Sequence, residues 1–508
     1  MSVATLLAMA AAGHGERTAI GTRADGLTFA ELEDQATGGA FVLRGTGARS
    51  VAYLGLNGPG FTVALLAAAV ADLPFTPLNY RLPTEELRDL LARLDAPFLI
   101  ADGDLRARLA PHAHAAITTQ SWLAEAATPR VAPDPLPPAA DSPAVVLFTS
   151  GTTSAPKAVI LRNSHLFSYV TGTVEFSGAG EDDAALVSVP PYHVAGVGSV
   201  LSNLYAGRRT LHLAGFDPAL WLELVQQERV SSAMLVPTML ARIVEHLAGR
   251  PADVPTLTSL AYGGARMPAP VLRRALAAFP TTGFVNAYGL TETSSTIALL
   301  GPEDHRSAVS SADPAVQARL GSAGQAVPGV TLQIRAEDGT PLAPGELGEL
   351  WVRGGQVSGE YAGLGSVLDA DGWFPTRDQA HLDPDGYLFI TGRGDDTIIR
   401  GGENVAPAEI EDVLVAHPEV RDAAVVGVPD DEWGERIAAA VVVKPGSPLT
   451  ADGLRDWARG RLRSSRTPDQ VALLTELPYT PTGKLLRRQV RADLMTLAGV
   501  PAGTPVAR

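Results

Sequence analysis

The sequence predicts an α/β protein: a large N-terminal domain of two α/β lobes plus a β-rich subdomain, followed by a small α+β C-terminal domain. Three observations predict it. Between about residues 141 and 300, short apolar runs alternate with helical patterns, the signature of a parallel sheet with crossover helices. Six prolines crowd residues 128–143, marking a surface connection between an N-terminal α/β lobe and the next. From about Asp395 the rhythm changes to helix, two strands, helix, strand, which reads as a separate small domain. A length of 508 residues allows about three domain-sized units.

In chain order, residues 144–149, 185–189, 233–236 and 257–262 read as buried strands, with apolar residues at helical spacing in 218–229 and 238–247. Residues 330–335, a turn Glu337-Asp338-Gly339-Thr340 and residues 347–353 read as a hairpin of the β-rich subdomain. Beyond Asp395, helices are expected at 407–416 and 453–462, and strands at 423–428, 437–443 and 470–474. Ligands of open α/β sheets bind beyond the carboxyl ends of strands. Residues 150–154, 190–193 and 262–265 each follow such an end.

Composition narrows the chemistry. The net charge of −15 argues against a sequence-independent nucleic-acid binder, which needs a basic footprint. Cysteine is absent, which removes disulfides, thiolate nucleophiles and Cys-ligated metals. The apolar runs at 3–12 and 61–73 lack, respectively, a basic lead-in and the ~20-residue length of a membrane span, so a cytoplasmic protein without a membrane span is expected. Of 40 basic residues only Lys157, Lys444 and Lys484 are lysines.

Four constellations carry chemistry. Thr149-Ser150-Gly151-Thr152-Thr153-Ser154-Ala155-Pro156-Lys157 follows a buried strand, and its amides, hydroxyls and ammonium can cradle phosphate oxygens. It is not a Walker A loop, and a polar turn without a ligand fits such a loop equally well. In Tyr288-Gly289-Leu290-Thr291-Glu292, a carboxylate near phosphates makes sense with a divalent cation between them, so Glu292 is a candidate Mg²⁺ ligand. Asp378, after Thr376-Arg377, suits ribose hydroxyls with Arg393 in support, although taken singly it reads first as a turn or capping residue. The segment 478–484 ends in Lys484 on a glycine-preceded loop, which is either a swinging charge or a surface lysine.

Together and in order, these blocks resemble the adenylate-forming superfamily of acyl-CoA synthetases and adenylation domains. The resemblance lies in residues 149–157, 191–196, 262–268, 286–293, 321–329, 345–354, 371–378, 386–411 and 478–488, nearly the whole chain. It implies an adenylation domain at 1–394, a mobile domain at 395–508 with a hinge at Asp395, and two half-reactions. A carboxylate attacks the α-phosphate of ATP, pyrophosphate leaves, and a thiol then takes the acyl group from the adenylate. By motif position Thr149, Ser150, Gly151, Thr152, Thr153 and Lys157 hold phosphates, Glu292 binds Mg²⁺ and Thr291 meets the α-phosphate. Tyr288 stacks on adenine beside Gly264, Ala265, Asn286, Ala287 and Gly289, while Asp378 and Arg393 grip the ribose. Lys484 bridges the carboxylate and α-phosphate, where stabilising developing charge is commonly worth ~3–4 kcal/mol. The loop with Gly401 and Gly402 lines a thiol tunnel, Arg466 lies near the CoA phosphates, and His193 sits between acyl pocket and nucleotide.

The resemblance implies ATP, Mg²⁺ and CoA as cofactors, a small-molecule carboxylic acid as substrate, and a monomer or homodimer. CoA is favoured over a carrier protein because no carrier segment follows; a non-thiol acceptor, an unusual oxyanion and a non-catalytic relative are the alternatives. Relatives usually carry glycine where this chain has Ser154, Ala158 and Arg377, which bears on rate or nucleotide geometry. A pocket around residues 192–197, 236–240 and 262–266, mostly apolar or small, suits an aryl, cinnamate-like or medium acyl group.

Overall fold

The computed structural model describes residues 1–129, 139–149, 156–400, 403–430, 432–480 and 485–497. Two large sheets build the bulk of the chain. The nine-stranded sheet runs, in spatial order, Gln325–Ala326, Ser295–Leu300, Gly283–Leu290, Ser259–Gly263, Ser232–Leu235, Ala184–Val187, Arg209–His212, Thr18–Gly21 and Gly26–Thr28. Its central strands are parallel and joined by helices such as Pro218–Gln227 and Pro237–Leu247, as the apolar spacing predicts. The eight-stranded sheet contains Ser50–Leu54, Phe75–Pro77, Pro97–Ala101, Pro143–Thr149 and Lys157–Arg162.

One expectation fails here. Residues 144–149 and 185–262 read as one parallel unit, yet Pro143–Thr149 lies in the other sheet, antiparallel to Lys157–Arg162. A link of seven residues cannot make the crossover of a dozen or more that parallel pairing needs, so the chain returns as a hairpin. Helix Asn163–Thr173 then carries it to the nine-stranded sheet.

The two sheets share one core. Helix Val194–Ala206 contributes Val197, Val200, Leu201 and Leu204 to the same cluster as Phe61 and Leu65 of helix Pro59–Ala71 and Phe29 and Leu32 of helix Phe29–Thr46. Helix Pro59–Ala71 is buried on almost every side, which accounts for its continuous apolar run. Burying a side chain such as Phe61 contributes ~1.5–3 kcal/mol. Among the described residues, no helix is long and apolar enough to cross a membrane.

The β-rich subdomain is a four-stranded antiparallel sheet, Val330–Arg335, Gly348–Gly354, Phe374–Leu382 and Leu388–Arg393, which includes the expected hairpin. A single 3₁₀ turn, Gly394–Asp396, links it to Ile398–Arg400 of the last sheet. That sheet pairs Val420–Asp430 with Gly434–Val443 and adds Gln470–Leu474 in parallel, flanked by helices Pro407–Val415 and Ala451–Arg459. Two ion pairs tie this part to the nine-stranded half: Arg266 with Asp412, and Arg421 with Glu245 at 3.2 Å.

Candidate active site

Strand Gly283–Leu290 is the spine of the site. It runs parallel to Ser259–Gly263 and antiparallel to Ser295–Leu300, with a bulge between Tyr288 and Gly289. Glycine at 289 is a steric requirement, because a Cβ there would stand 1.8 Å from the Ser295 carbonyl oxygen. Gly264, just past the neighbouring strand end, has a φ of +80°, a region that side chains disfavour. Ala265 follows it, and Ala287 pairs with Gly263. Asn286 spends its amide nitrogen on the Ser322 carbonyl at 2.9 Å, tying the spine to the segment that leads into the β-rich subdomain.

Tyr288, Asp378 and Arg393 converge. Asp378 is 5% exposed and faces Arg393 across the two strands, with Arg393 Nε 3.3 Å from its Oδ1. The Tyr288 hydroxyl donates to Oδ2 of the same carboxylate. Burial, with that carboxylate alongside, raises the Tyr288 pKa well above its ordinary value, so the phenol stays a donor. The Thr376 hydroxyl accepts the Asp378 amide at 3.1 Å and donates to the Leu350 carbonyl at 2.7 Å. Arg377, between them, sits at φ 64°, and its amide donates to Glu349. That left-handed geometry explains why glycine is the easy residue there.

A second corner forms around Glu292. The turn Thr291–Thr293 leaves the spine, followed by Ser294 at φ 57° and Ser295 at φ 120°. Gln356 holds it by donating to the Thr293 and Thr296 carbonyls, at 3.0 and 2.8 Å. The Tyr361 hydroxyl donates to Glu292 Oε1 at 2.9 Å, and the Lys157 ammonium stands 5.2 Å from the Tyr361 ring centroid. Burial and the Glu292 carboxylate raise the Tyr361 pKa. Lys157 lies opposite Thr149, whose hydroxyl donates to the Lys157 carbonyl at 3.4 Å. Thr149, Lys157, Thr291 and Glu292 therefore occupy the junction of the two large sheets.

His193 precedes helix Val194–Ala206, its ring 4.5 Å from Tyr192. Its Nε2 and the Tyr192 hydroxyl are buried without a partner among the described residues. Burial pushes the His193 pKa down to about 4, so the imidazole is neutral at pH 7.

A cavity of about 530 Å³ opens against Ala195, Ser199, Met234, Ala261, Ala287 and Thr296. Of the segments expected to line a pocket, only 192–197 contributes; 236–240 and 262–266 do not. At position 262 strand alternation is the reason, whereas 237–240 belong to helix Pro237–Leu247. Tyr262 points to the opposite face, where its hydroxyl meets His305 at 2.9 Å in a buried cluster, and Val236 packs in that cluster too.

Ser150, Gly151, Thr152, Thr153, Gly401, Gly402 and Lys484 lie outside the described residues, as does the side chain of Asp395. The backbone of Asp395 forms the middle of the 3₁₀ turn between the last two sheets. Arg466 ion-pairs with Glu403 at 3.2 Å and with Glu409. Sequence reasoning missed Tyr361 and Gln356, and the only signal was their place between two recognised blocks.

Comparison with known proteins follows this geometry. Residues 7–362 match the family model of the AMP-binding enzyme, and residues 409–484 that of the AMP-binding enzyme C-terminal domain. A feruloyl-CoA synthase of Amycolatopsis sp is 36% identical over 484 residues, 93% of this chain and 95% of that protein. The indoleacetate–CoA ligase of Aromatoleum aromaticum is 32% identical over 495 residues, 94% of each chain. The crystal structure of ATP-bound MatB from Rhodopseudomonas palustris superposes with a TM-score of 0.86 at 28% identity, covering 97% of this chain and 99% of that one.

Proposed function

The chain belongs to the AMP-binding enzyme family, and on that footing we propose that it is an ATP-dependent acid–CoA ligase acting on an aryl, cinnamate-like or medium acyl carboxylic acid. The observation that carries the proposal is the convergence at one spine of a nucleoside-type grip, an acid corner and an apolar cavity: Tyr288–Asp378–Arg393, Glu292–Tyr361–Lys157, and the space beside Ala287.

Each part has a chemical task. Asp378, anchored by Tyr288 and Arg393, presents carboxylate acceptors to ribose hydroxyls. Thr149 and Lys157, with Ser150, Gly151, Thr152 and Thr153, receive the phosphates. Glu292 is a lone carboxylate: among the described residues no group of three metal-ligating side chains exists. A lone carboxylate fits Mg²⁺, which uses one or two carboxylates plus substrate phosphates rather than a protein cage. Bound there, the ion supplies charge neutralisation to the triphosphate. Neutral His193 stands between the acyl pocket and the nucleotide without adding charge. The acid's oxygen then bonds to the α-phosphorus as the bond to pyrophosphate breaks, and Lys484 supplies the positive charge where the two anions meet.

The boundary between two domains falls at residues 394 and 395, with Asp395 as the hinge. Turning about it withdraws Lys484 and brings the loop of Gly401 and Gly402 to the thiol path. The CoA thiol attacks the acyl carbon and AMP leaves. The test is release of AMP from ATP and a panel of aryl acids, with and without CoA. CoA-dependent turnover with a thioester product is expected; turnover independent of CoA assigns the acceptor to a non-thiol nucleophile, and adenylate formation that CoA does not turn over points to a carrier protein, either of which overturns the ligase proposal.

A further inference from the structure

We infer that the cavity ends in a built subsite, formed by Arg208 and Ser202, for a hydrogen-bond-accepting oxygen on the end of the acid remote from its carboxylate. This rests on the proposal above that the cavity takes the acyl group.

The upper cavity wall is small and apolar, with Ala195, Ala261 and Ala287, whereas the floor is polar. Its depth follows from strand register. Ser232 on the floor pairs with Ser259, and Gly263, at the nucleotide end, lies four residues further along, about 13 Å at ~3.3 Å per residue. Arg209 pairs with Ala184, one step below the Ala185–Ser232 level, so Arg208 stands at the bottom. An extended aryl acid spans such a depth and a short acid does not.

Arg208 is held in position there. Its Nη1 donates to Asn203 Oδ1 at 2.9 Å, and Asn203 Nδ2 in turn donates to the Ser199 carbonyl at 2.8 Å. The Arg208 Nε and the Ser202 Oγ, both lining the cavity, are buried and have no hydrogen-bond partner among the described residues. Buried donors without acceptors are costly, and two in one wall of a cavity call for an acceptor from outside the chain. Asp183 is the acidic group whose field reaches Arg208, yet among the described residues Arg208 makes no ion pair. Asp304, which also lines the cavity, is committed elsewhere: it accepts from the Tyr387 hydroxyl at 2.6 Å and from the Gly301 amide at 3.0 Å. The floor thus offers donors, and the ligand class is an acid with a distal phenolic or carboxylate oxygen.

The experiment measures acid-dependent pyrophosphate exchange by the full chain with cinnamic, 4-hydroxycinnamic, 4-carboxycinnamic and octanoic acids. At least one oxygen-bearing acid should exceed cinnamic acid in kcat/KM by about 10–100-fold, the worth of a hydrogen bond to a charged donor, and which one it is separates phenol from carboxylate. Arg208→Gln should bring the kcat/KM ratio of that acid over cinnamate down to about one, and Ser202→Ala should lower the same ratio by a smaller factor. Equal kcat/KM for all three aryl acids in the unaltered chain overturns the subsite alone. An equal loss for every acid in both variants, with unchanged melting temperature, also overturns it. Exchange with none of the four acids overturns the proposed function itself.

Discussion

Replacing Asp378 with Asn separates binding from folding. The carboxylate is 5% exposed and presents one oxygen to Arg393 and the other to Tyr288. Asparagine keeps the volume and one acceptor but removes the charge, so a charge-assisted bond to the ribose is lost, ~1.5–3 kcal/mol. That corresponds to a rise in the KM for ATP of about 10–150-fold. The stability cost is smaller, because the Arg393 side chain is 41% exposed and solvent screens it; a partner lost there costs ~1 kcal/mol or less, a few °C at most. Initial rates against ATP at saturating acid, beside a melting curve, give both numbers. An unchanged KM for ATP, or a KM for the acid that rises by the same factor, refutes the ribose assignment.

Four further outcomes follow from the geometry. Tyr361→Phe removes the donor to Glu292 Oε1, and the Mg²⁺ concentration for half-maximal pyrophosphate exchange should rise about tenfold; an unmoved Mg²⁺ titration contradicts that role. His193 has a pKa of about 4 when folded against ~6.5 unfolded, so below pH ~6.5 the unfolded chain takes up a proton that the folded state refuses. Stability is lost by up to ~1.4 kcal/mol per pH unit between pH 6.5 and 4, and His193→Asn should gain on the unaltered chain as pH falls through that window; a constant difference in melting temperature refutes the burial argument. Gly289→Ala drives a Cβ into the Ser295 carbonyl and should cost ~2–3 kcal/mol or prevent folding, read from the melting temperature, and a normal melt would contradict the close approach. The exposed ion pairs Arg266–Asp412 and Arg421–Glu245 should contribute little, so Glu245→Gln should change stability by less than ~1 kcal/mol in denaturant titration.

Most elements were legible because their patterning is local. The hairpin of Val330–Arg335 with Gly348–Gly354 announces itself by a turn between two short strands, and strand Gln470–Leu474 by a short apolar run. The division of residues 143–300 between two sheets was not legible, since periodicity says that a run is a strand but not which sheet receives it. The candidate site blocks were visible as residue types in order. Their support was not: Tyr361 reaches Glu292 from 69 residues away, and the Arg208–Asn203 floor is set by the end of helix Val194–Ala206, where Asn203 orients Arg208 five residues on. On one wall the cavity lies one residue from the expected position, because Ala261 lines it while its neighbour Tyr262 faces the opposite way.

In the proposed reaction this chain joins an acid to the α-phosphate of ATP with Lys484 bridging the reacting anions. Exchange of labelled pyrophosphate into ATP, with and without a cinnamate-type acid, in the unaltered chain and in Lys484→Ala tests it most directly. Acid-dependent exchange that falls by about 10²–10³-fold in the variant is expected. Exchange that ignores the acid, or that survives undiminished in Lys484→Ala, contradicts it.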